Sequence, residues 1–247
     1  MSYSSTDTST ISTATRAALL ALCLAGMGAC VLGTQEAALA ANDVTLFAGG
    51  QSGFANYGFL GATIALPGSS IGKGFALRDD VFAGSYSYVN ASGLVNAHFA
   101  GDELDAVYQF SSGGFWSDFG LGARYADSDF SRYGQTNRRR GEQMEPVASI
   151  DGGDVSGPWR TDWNAFYGTR LDDYAARLSL THTLNSQWRV GVEAYSEGDP
   201  TYNLRQFGPY IAWHFSDRSE LQFSAGPTWE SGQGSRAYVR ASLYSTL

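Results

Sequence analysis

Thiols are scarce in this chain: its 247 residues hold two cysteines, Cys23 and Cys30, both near the N-terminus. Once the first forty residues are removed no thiol remains, which excludes disulfides and thiolate zinc sites. Long apolar runs are missing as well. The stretch from Ala17 to Gly28 is too short to cross a bilayer, and no later segment approaches eighteen continuous apolar residues, so membrane-spanning helices are excluded. Positive charge is also thin. Of 16 Lys and Arg and 24 Asp and Glu, the first forty residues hold Arg16, Asp7 and Glu36, leaving 15 against 22 and a net charge of about −7. A chain of that balance is a poor partner for nucleic acid, whose binding rests on basic surface. No Pro- or Ser-rich linker divides the chain, so a single domain is expected. The three histidines, His98, His182 and His214, are far apart in sequence, and neither a metal site nor a cofactor is expected.

Residues 1–40 carry the features of a cleavable signal peptide: Arg16 as the positive flank, the Ala17–Gly28 apolar core, and Ala38-Leu39-Ala40 as a small-x-small cleavage site. Met27-Gly28-Ala29-Cys30 loosely resembles a lipoprotein processing box, an alternative that would leave Cys30 acylated. The remainder, 41–247, is rich in what barrels use, with 30 glycines and 14% aromatic residues in the whole chain.

From residue 43 onward, apolar and polar residues alternate. In 174–184, Tyr174, Ala176, Leu178, Leu180 and Leu184 fall on one face, and Arg177, Ser179, Thr181 and Thr183 on the other. Repeated without an intervening helix, this pattern predicts an all-β fold: an antiparallel transmembrane β-barrel with lipid outside and water inside. Turn signals place about twelve strands near 43–51, 54–66, 75–89, 94–110, 114–128, 143–151, 160–169, 173–184, 188–197, 202–215, 220–230 and 236–246. With a periplasmic N-terminus, the longest connector, 129–142, lies outside the cell. It holds Arg138, Arg139 and Arg140, read either as a solvated loop tip or as a contact for lipopolysaccharide phosphates or an anionic polysaccharide.

Parity assigns the interior. Arg177, Arg189, Glu193, Glu220 and Arg240 gather there as a charged lattice that either braces the wall or lines a narrow aqueous path. Trp116, Phe166, Tyr195, Tyr210, Tyr238 and Tyr244 also point inward, either as packing or as rings on which a saccharide stacks. Trp188, Trp213 and Trp229 face lipid at headgroup level. Two enzymatic readings are weaker. His214, Ser224 and Glu220 share one interior face of neighbouring strands, whereas a lipid-modifying barrel enzyme places such a trio toward the lipid. The carboxylate pairs Asp79-Asp80, Asp172-Asp173 and Asp127-Asp129 do not suit glycoside hydrolysis: adjacent strand residues face opposite ways, the second pair falls in a turn, and solvated loop and rim charges explain them better.

Four segments carry a resemblance to a known family: Leu66-Pro67-Gly68-Ser69-Ser70-Ile71-Gly72-Lys73-Gly74-Phe75-Ala76-Leu77-Arg78, Gly101 to Phe110, Gly122-Ala123-Arg124-Tyr125, and Trp188 through Gly198-Asp199-Pro200-Thr201-Tyr202 to Arg205-Gln206-Phe207-Gly208-Pro209-Tyr210. Together they resemble the BcsS-type cellulose biosynthesis proteins of alphaproteobacteria. The resemblance implies a non-enzymatic outer-membrane barrel that assists cellulose biosynthesis and export, with no catalytic residues. It implies outer-membrane lipid and lipopolysaccharide as surroundings, and a glucan chain and other export components as partners. A general narrow porin for small solutes is the alternative, and a lipid-modifying barrel enzyme a third.

Overall fold

In a computed structural model, residues 43–131, 137–200 and 202–247 are described; the leader expected over 1–40 lies outside them. Twelve strands follow one another: β1 (Val44–Ser52), β2 (Ala55–Ala65), β3 (Gly74–Asn90), β4 (Gly93–Ser112), β5 (Phe115–Phe130), β6 (Gly141–Ser156), β7 (Trp159–Gly168), β8 (Asp173–Thr183), β9 (Trp188–Asp199), β10 (Tyr202–Ser216), β11 (Ser219–Glu230) and β12 (Gly234–Thr246). Each pairs antiparallel with its neighbours in sequence, and β1 closes on β12 from Thr45↔Thr246 to Ser52↔Val239. Closure leaves no unpaired sheet edge, which backbone polar groups in hydrocarbon require.

At the end that carries both termini of the barrel, β4–β5 and β6–β7 are joined by two-residue turns. Gly113 and Gly157 sit at φ 61° and 59° in the β4–β5 and β6–β7 turns, a left-handed conformation that glycine adopts without steric cost. At the opposite, loop end, Ser92 and Gly93 donate their backbone N–H to Asn90 Oδ1 at 2.8 and 3.1 Å, an Asx turn between β3 and β4. Strand ends fall within a few residues of expectation except in β6, expected over 143–151 and found over Gly141–Ser156. Gly152 and Gly153 read as a strand stop. Indoles from the adjacent strands cover their bare backbone instead, since a β-carbon there would lie 2.5 Å from Trp163 Cε2 or Trp116 Nε1.

The faces are inverted relative to a soluble protein. Glu193, Asp105, Glu145, Gln206 and Thr228 are buried, whereas Leu121 (71%), Val239 (56%) and Leu178 (53%) are exposed. An exterior of this kind is stable only against hydrocarbon, and the chain is a transmembrane barrel. Trp188 stacks on Trp213 at 5.7 Å near the termini end, and Trp159 meets His182 edge-on at 4.8 Å. Trp229 lies opposite Arg205 towards the loop end, eight residues along β10 from Trp213. That separation is ~26 Å along the strand and roughly 20 Å along the barrel axis at the usual tilt, close to the apolar band of such barrels.

The wall is uneven in height. β3, β4, β5 and β6 run to 17, 20, 16 and 16 residues, while β1, β2, β7 and β8 have 9, 11, 10 and 11. A membrane crossing takes about 9–11 strand residues, so β3–β6 project beyond the apolar band. Their outward faces turn polar there, with Asn96 and His98 on β4 and Asp127 and Asp129 on β5 in adjoining rows.

Candidate functional site

The interior holds a cavity of about 1380 Å³ whose lining reaches from Asp217 and Thr246 at the termini end to Asn90 and Gln233 at the loop end. Its chemistry comes from two charged lattices on opposite sides of the wall.

The first lies on β8–β12 and contains the five charged residues assigned to the interior from sequence. Arg177 Nε donates to Glu193 Oε2 at 2.5 Å, and Arg240 Nη1 donates to Glu193 Oε1 at 3.0 Å, where Ser224 Oγ also donates at 2.9 Å. Arg189 donates to Glu220 and, through Nη1, to Thr181 Oγ1 at 3.2 Å; His214 Nε2 lies 2.6 Å from Glu220 Oε2. Gln222 joins the two groups: its Oε1 accepts from Arg177 Nη2 at 3.3 Å, and its Nε2 donates to Glu220 Oε1 at 2.6 Å.

The second lattice, on β3–β6, was not picked out from sequence. Arg78 donates through Nη2 to Asp105 Oδ2 at 2.7 Å and Ser149 Oγ at 2.6 Å, and through Nη1 to Asp151 Oδ2 at 2.6 Å. To do so it crosses Gly120 of β5, where a β-carbon would lie 2.9 Å from Nη2. Arg124 donates through Nε to Glu103 Oε2 at 2.8 Å and through Nη1 to Asp173 Oδ2 at 3.4 Å, with its guanidinium 4.2 Å from the Phe166 ring centre. Parity alone places Arg78 and Arg124 inside. Their partners lie up to three strands away, and only register brings them within reach.

The basic connector differs from its expectation as a fully solvated tip. Arg138 and Arg140 are exposed, and Arg138 lies 3.8 Å from Asp172. Arg139 instead turns into the mouth, donating through Nε to Asp199 Oδ2 at 2.9 Å and through Nη1 to Asp173 Oδ2 at 3.4 Å. Asn137 Nδ2 donates to Tyr88 Oη at 2.9 Å beside it. Burial works against the Arg139 charge, but the Asp173 and Asp199 carboxylates outweigh it and hold its pKa above the usual arginine value. Arg139 therefore turns inward because two buried carboxylates at the mouth attract its charge.

Two of the aromatic residues assigned to the interior, Tyr210 and Tyr238, are buried in the wall. Trp116, Tyr195, Tyr210 and Tyr244 line the cavity, as does Phe166. Tyr238 faces inward yet is only 1% exposed, because Gly53 and Gly208 leave room for it to press against the wall. It offers no face to a ligand. Two others are occupied by cations: Arg240 lies 4.1 Å from the Tyr195 ring centre and Arg177 5.4 Å from that of Tyr210.

The hydrolase-like trio is not assembled. His214 lies opposite Glu220, but Ser224 lies opposite Tyr210, four residues further along β11 and ~13 Å away along the strand. Its hydroxyl is committed to Glu193. Asp79 and Asp80 face opposite sides of β3, and Asp172 is an exposed turn residue at φ 53° while Asp173 is buried. Among the described residues, no group of three His, Cys, Asp or Glu side chains is arranged to hold a metal ion.

All four segments that carried the resemblance deliver side chains to this interior. The first supplies Arg78; the second Glu103, Asp105 and Gln109; the third Arg124; and the fourth Arg189, Glu193, Tyr195, Asp199, Gln206 and Tyr210. The Pro67–Gly74 turn is held at the termini end, where Gly72 N–H donates to Gln109 Oε1 at 3.1 Å and Phe75 N–H to Ser69 Oγ at 2.9 Å.

Comparison with curated protein sequences found no match. Among solved structures, the barrel is similar to the COG4313 outer membrane channel from Pseudomonas putida F1, with a TM-score of 0.53 and 11% identity over 87% of this chain and 98% of that one. At that identity the likeness is one of fold. The translocator domain of autotransporter NalP from Neisseria meningitidis gives a TM-score of 0.47 and 13% identity over 96% of this chain and 100% of that one. The family model described as cellulose biosynthesis protein BcsS matches residues 45–247, the whole run of strands that builds the barrel and both lattices. The chain therefore belongs to the BcsS family of cellulose biosynthesis proteins.

Proposed function

We propose that this protein is a non-enzymatic outer-membrane accessory in cellulose biosynthesis and export, with its termini in the periplasm and its taller β3–β6 wall outside the cell. The observation that carries the reading is the cavity: in a member of a cellulose biosynthesis family, one space within a closed barrel touches residues of both rims. The ion-pair lattices hold that space open. Each buried guanidinium is tied to carboxylates no more than three strands away, so the interior charges brace the wall rather than meet across the centre. Arg138 and Arg140 are left at the outer surface as contacts for lipopolysaccharide phosphates.

The test is deletion of the gene in a cellulose-producing host, with outer-membrane fractionation of the tagged protein. The expected result is an outer-membrane protein whose loss lowers extracellular cellulose while synthase activity in membranes persists. Unchanged extracellular cellulose, with ion conductance retained in planar bilayers, would favour a general narrow porin instead. Deacylated lipid A that depends on Ser224 would favour a lipid-modifying enzyme.

A further inference from the structure

Four consecutive strands each carry a phenylalanine with a glycine two residues further on: Phe47 and Gly49 in β1, Phe59 and Gly61 in β2, Phe82 and Gly84 in β3, Phe99 and Gly101 in β4. Antiparallel register turns this repeat into an exchange. Phe47 lies opposite Gly61 and Phe59 opposite Gly49; Phe82 lies opposite Gly101 and Phe99 opposite Gly84. Across the β2–β3 seam, Phe59 meets Phe82. Each ring occupies space that only a glycine leaves, since a β-carbon on Gly84 would stand 2.5 Å from Phe99 Cζ and one on Gly101 2.6 Å from Phe82 Cζ. An aromatic ring over a glycine lies along the sheet instead of standing up from it, and its outer face is left to the cavity.

Tyr57 and Tyr86 extend the pattern into two files of three rings. In one, Tyr86, Phe99 and Phe82 follow at centre-to-centre distances of 6.1 and 6.3 Å; in the other, Tyr57, Phe59 and Phe47 follow at 6.3 and 6.4 Å. All six line the cavity and all are half-buried, so their faces reach its open space; the Arg124 guanidinium lies 5.8 Å from the ring centre of Phe82, and the other five rings have no cation over them among the described residues. Asp80 lies in the next row, between Gly61 and Glu103, lines the same cavity, and makes no hydrogen bond or ion pair among the described residues. It is an acceptor without a donor.

We propose that these two files form a contact track for a neutral β-linked glucan, the class of polymer that the accessory role proposed above would have this barrel handle, and on which this inference rests. A pyranose with equatorial substituents presents only C–H groups on its two faces, which suits flat stacking on aromatic rings. Its hydroxyls lie at the edge, where Asp80 accepts one. Charge separates this ligand from the other polymers that fit a narrow lumen. Twelve carboxylates and six guanidinium groups line the cavity, and Arg78, Arg124, Arg139 and Arg177 are each committed to carboxylates, so a polyanion is repelled and finds few open cations. A purely apolar ligand would leave Asp80 desolvated without a partner.

The experiment is titration of the purified protein in detergent micelles with cellohexaose, and with hexagalacturonate as the anionic counterpart, followed by calorimetry. The wild-type protein is expected to bind cellohexaose and not hexagalacturonate. The double variant Phe59→Leu/Phe82→Leu keeps the apolar fill and removes two flat faces; it should bind about tenfold more weakly, with the heat-modifiable mobility of the folded barrel unchanged. Phe119→Leu, on the outward face, should bind as wild type. Absence of cellohexaose binding, equal binding by the double variant, or equal binding of hexagalacturonate would overturn the track. Should the double variant not fold, Asp80→Asn and Asp80→Ala supply the second measurement: the amide still accepts a hydroxyl and should retain binding that alanine loses, and equal binding by the two would overturn the role of Asp80. Failure of the track leaves the accessory role standing if deletion still lowers cellulose, so the two readings fall separately.

Discussion

Glu193 has no exposed surface and serves three donors, Arg177, Arg240 and Ser224. Glu193→Ala would leave two buried guanidinium groups facing each other with no anion between them. Removing one partner of a buried pair typically costs about 3–5 kcal/mol, and a loss of that size is expected in urea titration of the purified barrel, read by its heat-modifiable mobility. Glu193→Gln, which keeps an acceptor, should lose less. A loss below about 1 kcal/mol for the alanine variant, the range of a solvated surface pair, would mean that water already screens this lattice. Residues of this kind were legible one at a time. Alternation places Arg177, Arg189, Glu193, Glu220 and Arg240 on the inner face, and it places Arg78 and Arg124 there equally well. It says nothing of access: Tyr238 points inward like Tyr244, yet Gly53 just past β1 and Gly208 two strands away on β10 let it sink into the wall.

The element that separates this barrel from a plain tube is the connector between β5 and β6. Arg139 anchors it across the mouth to Asp173 on β8 and Asp199 on β9. Arg139→Ala is expected to release the connector from the mouth, raise single-channel conductance in planar bilayers, and speed protease cleavage between β5 and β6. The cost to barrel stability should fall between the ~1 kcal/mol of a solvated pair and the ~3–5 kcal/mol of a buried one, because Arg139 is partly exposed while its two carboxylates are buried. Unchanged conductance would show that the constriction lies deeper. Turn chemistry made most element boundaries visible in advance, since Asn90, Gly113 and Gly157 mark their turns by residue type. The height of β6 was not visible, because a Gly-Gly pair ends a strand unless neighbouring indoles cover it. The Phe-x-Gly repeat was on the page of the sequence throughout. Within one strand it is unremarkable, and its meaning arises only when register sets each ring against the glycine of the next strand.

For the whole molecule, the balance of the lining governs what passes. With twice as many carboxylates as guanidinium groups around the cavity, the lumen should favour cations, and the reversal potential under a KCl gradient should show K⁺ preferred over Cl⁻. The preference should weaken as salt rises and the Debye length falls from ~10 Å at 0.1 M to ~3 Å at 1 M. Anion preference at low salt would contradict this reading of the lining. Strand number, antiparallel order and the inside-out distribution of polarity were determined by the sequence by itself, because period-two alternation and turn residues are local and each strand declares its own two faces. Tertiary structure decided which charges meet, which rings keep a free face, and that Arg139 of the basic connector turns inward. Those outcomes depend on register between strands and on closure of β1 against β12, and both are properties of the whole ring of strands rather than of any one of them.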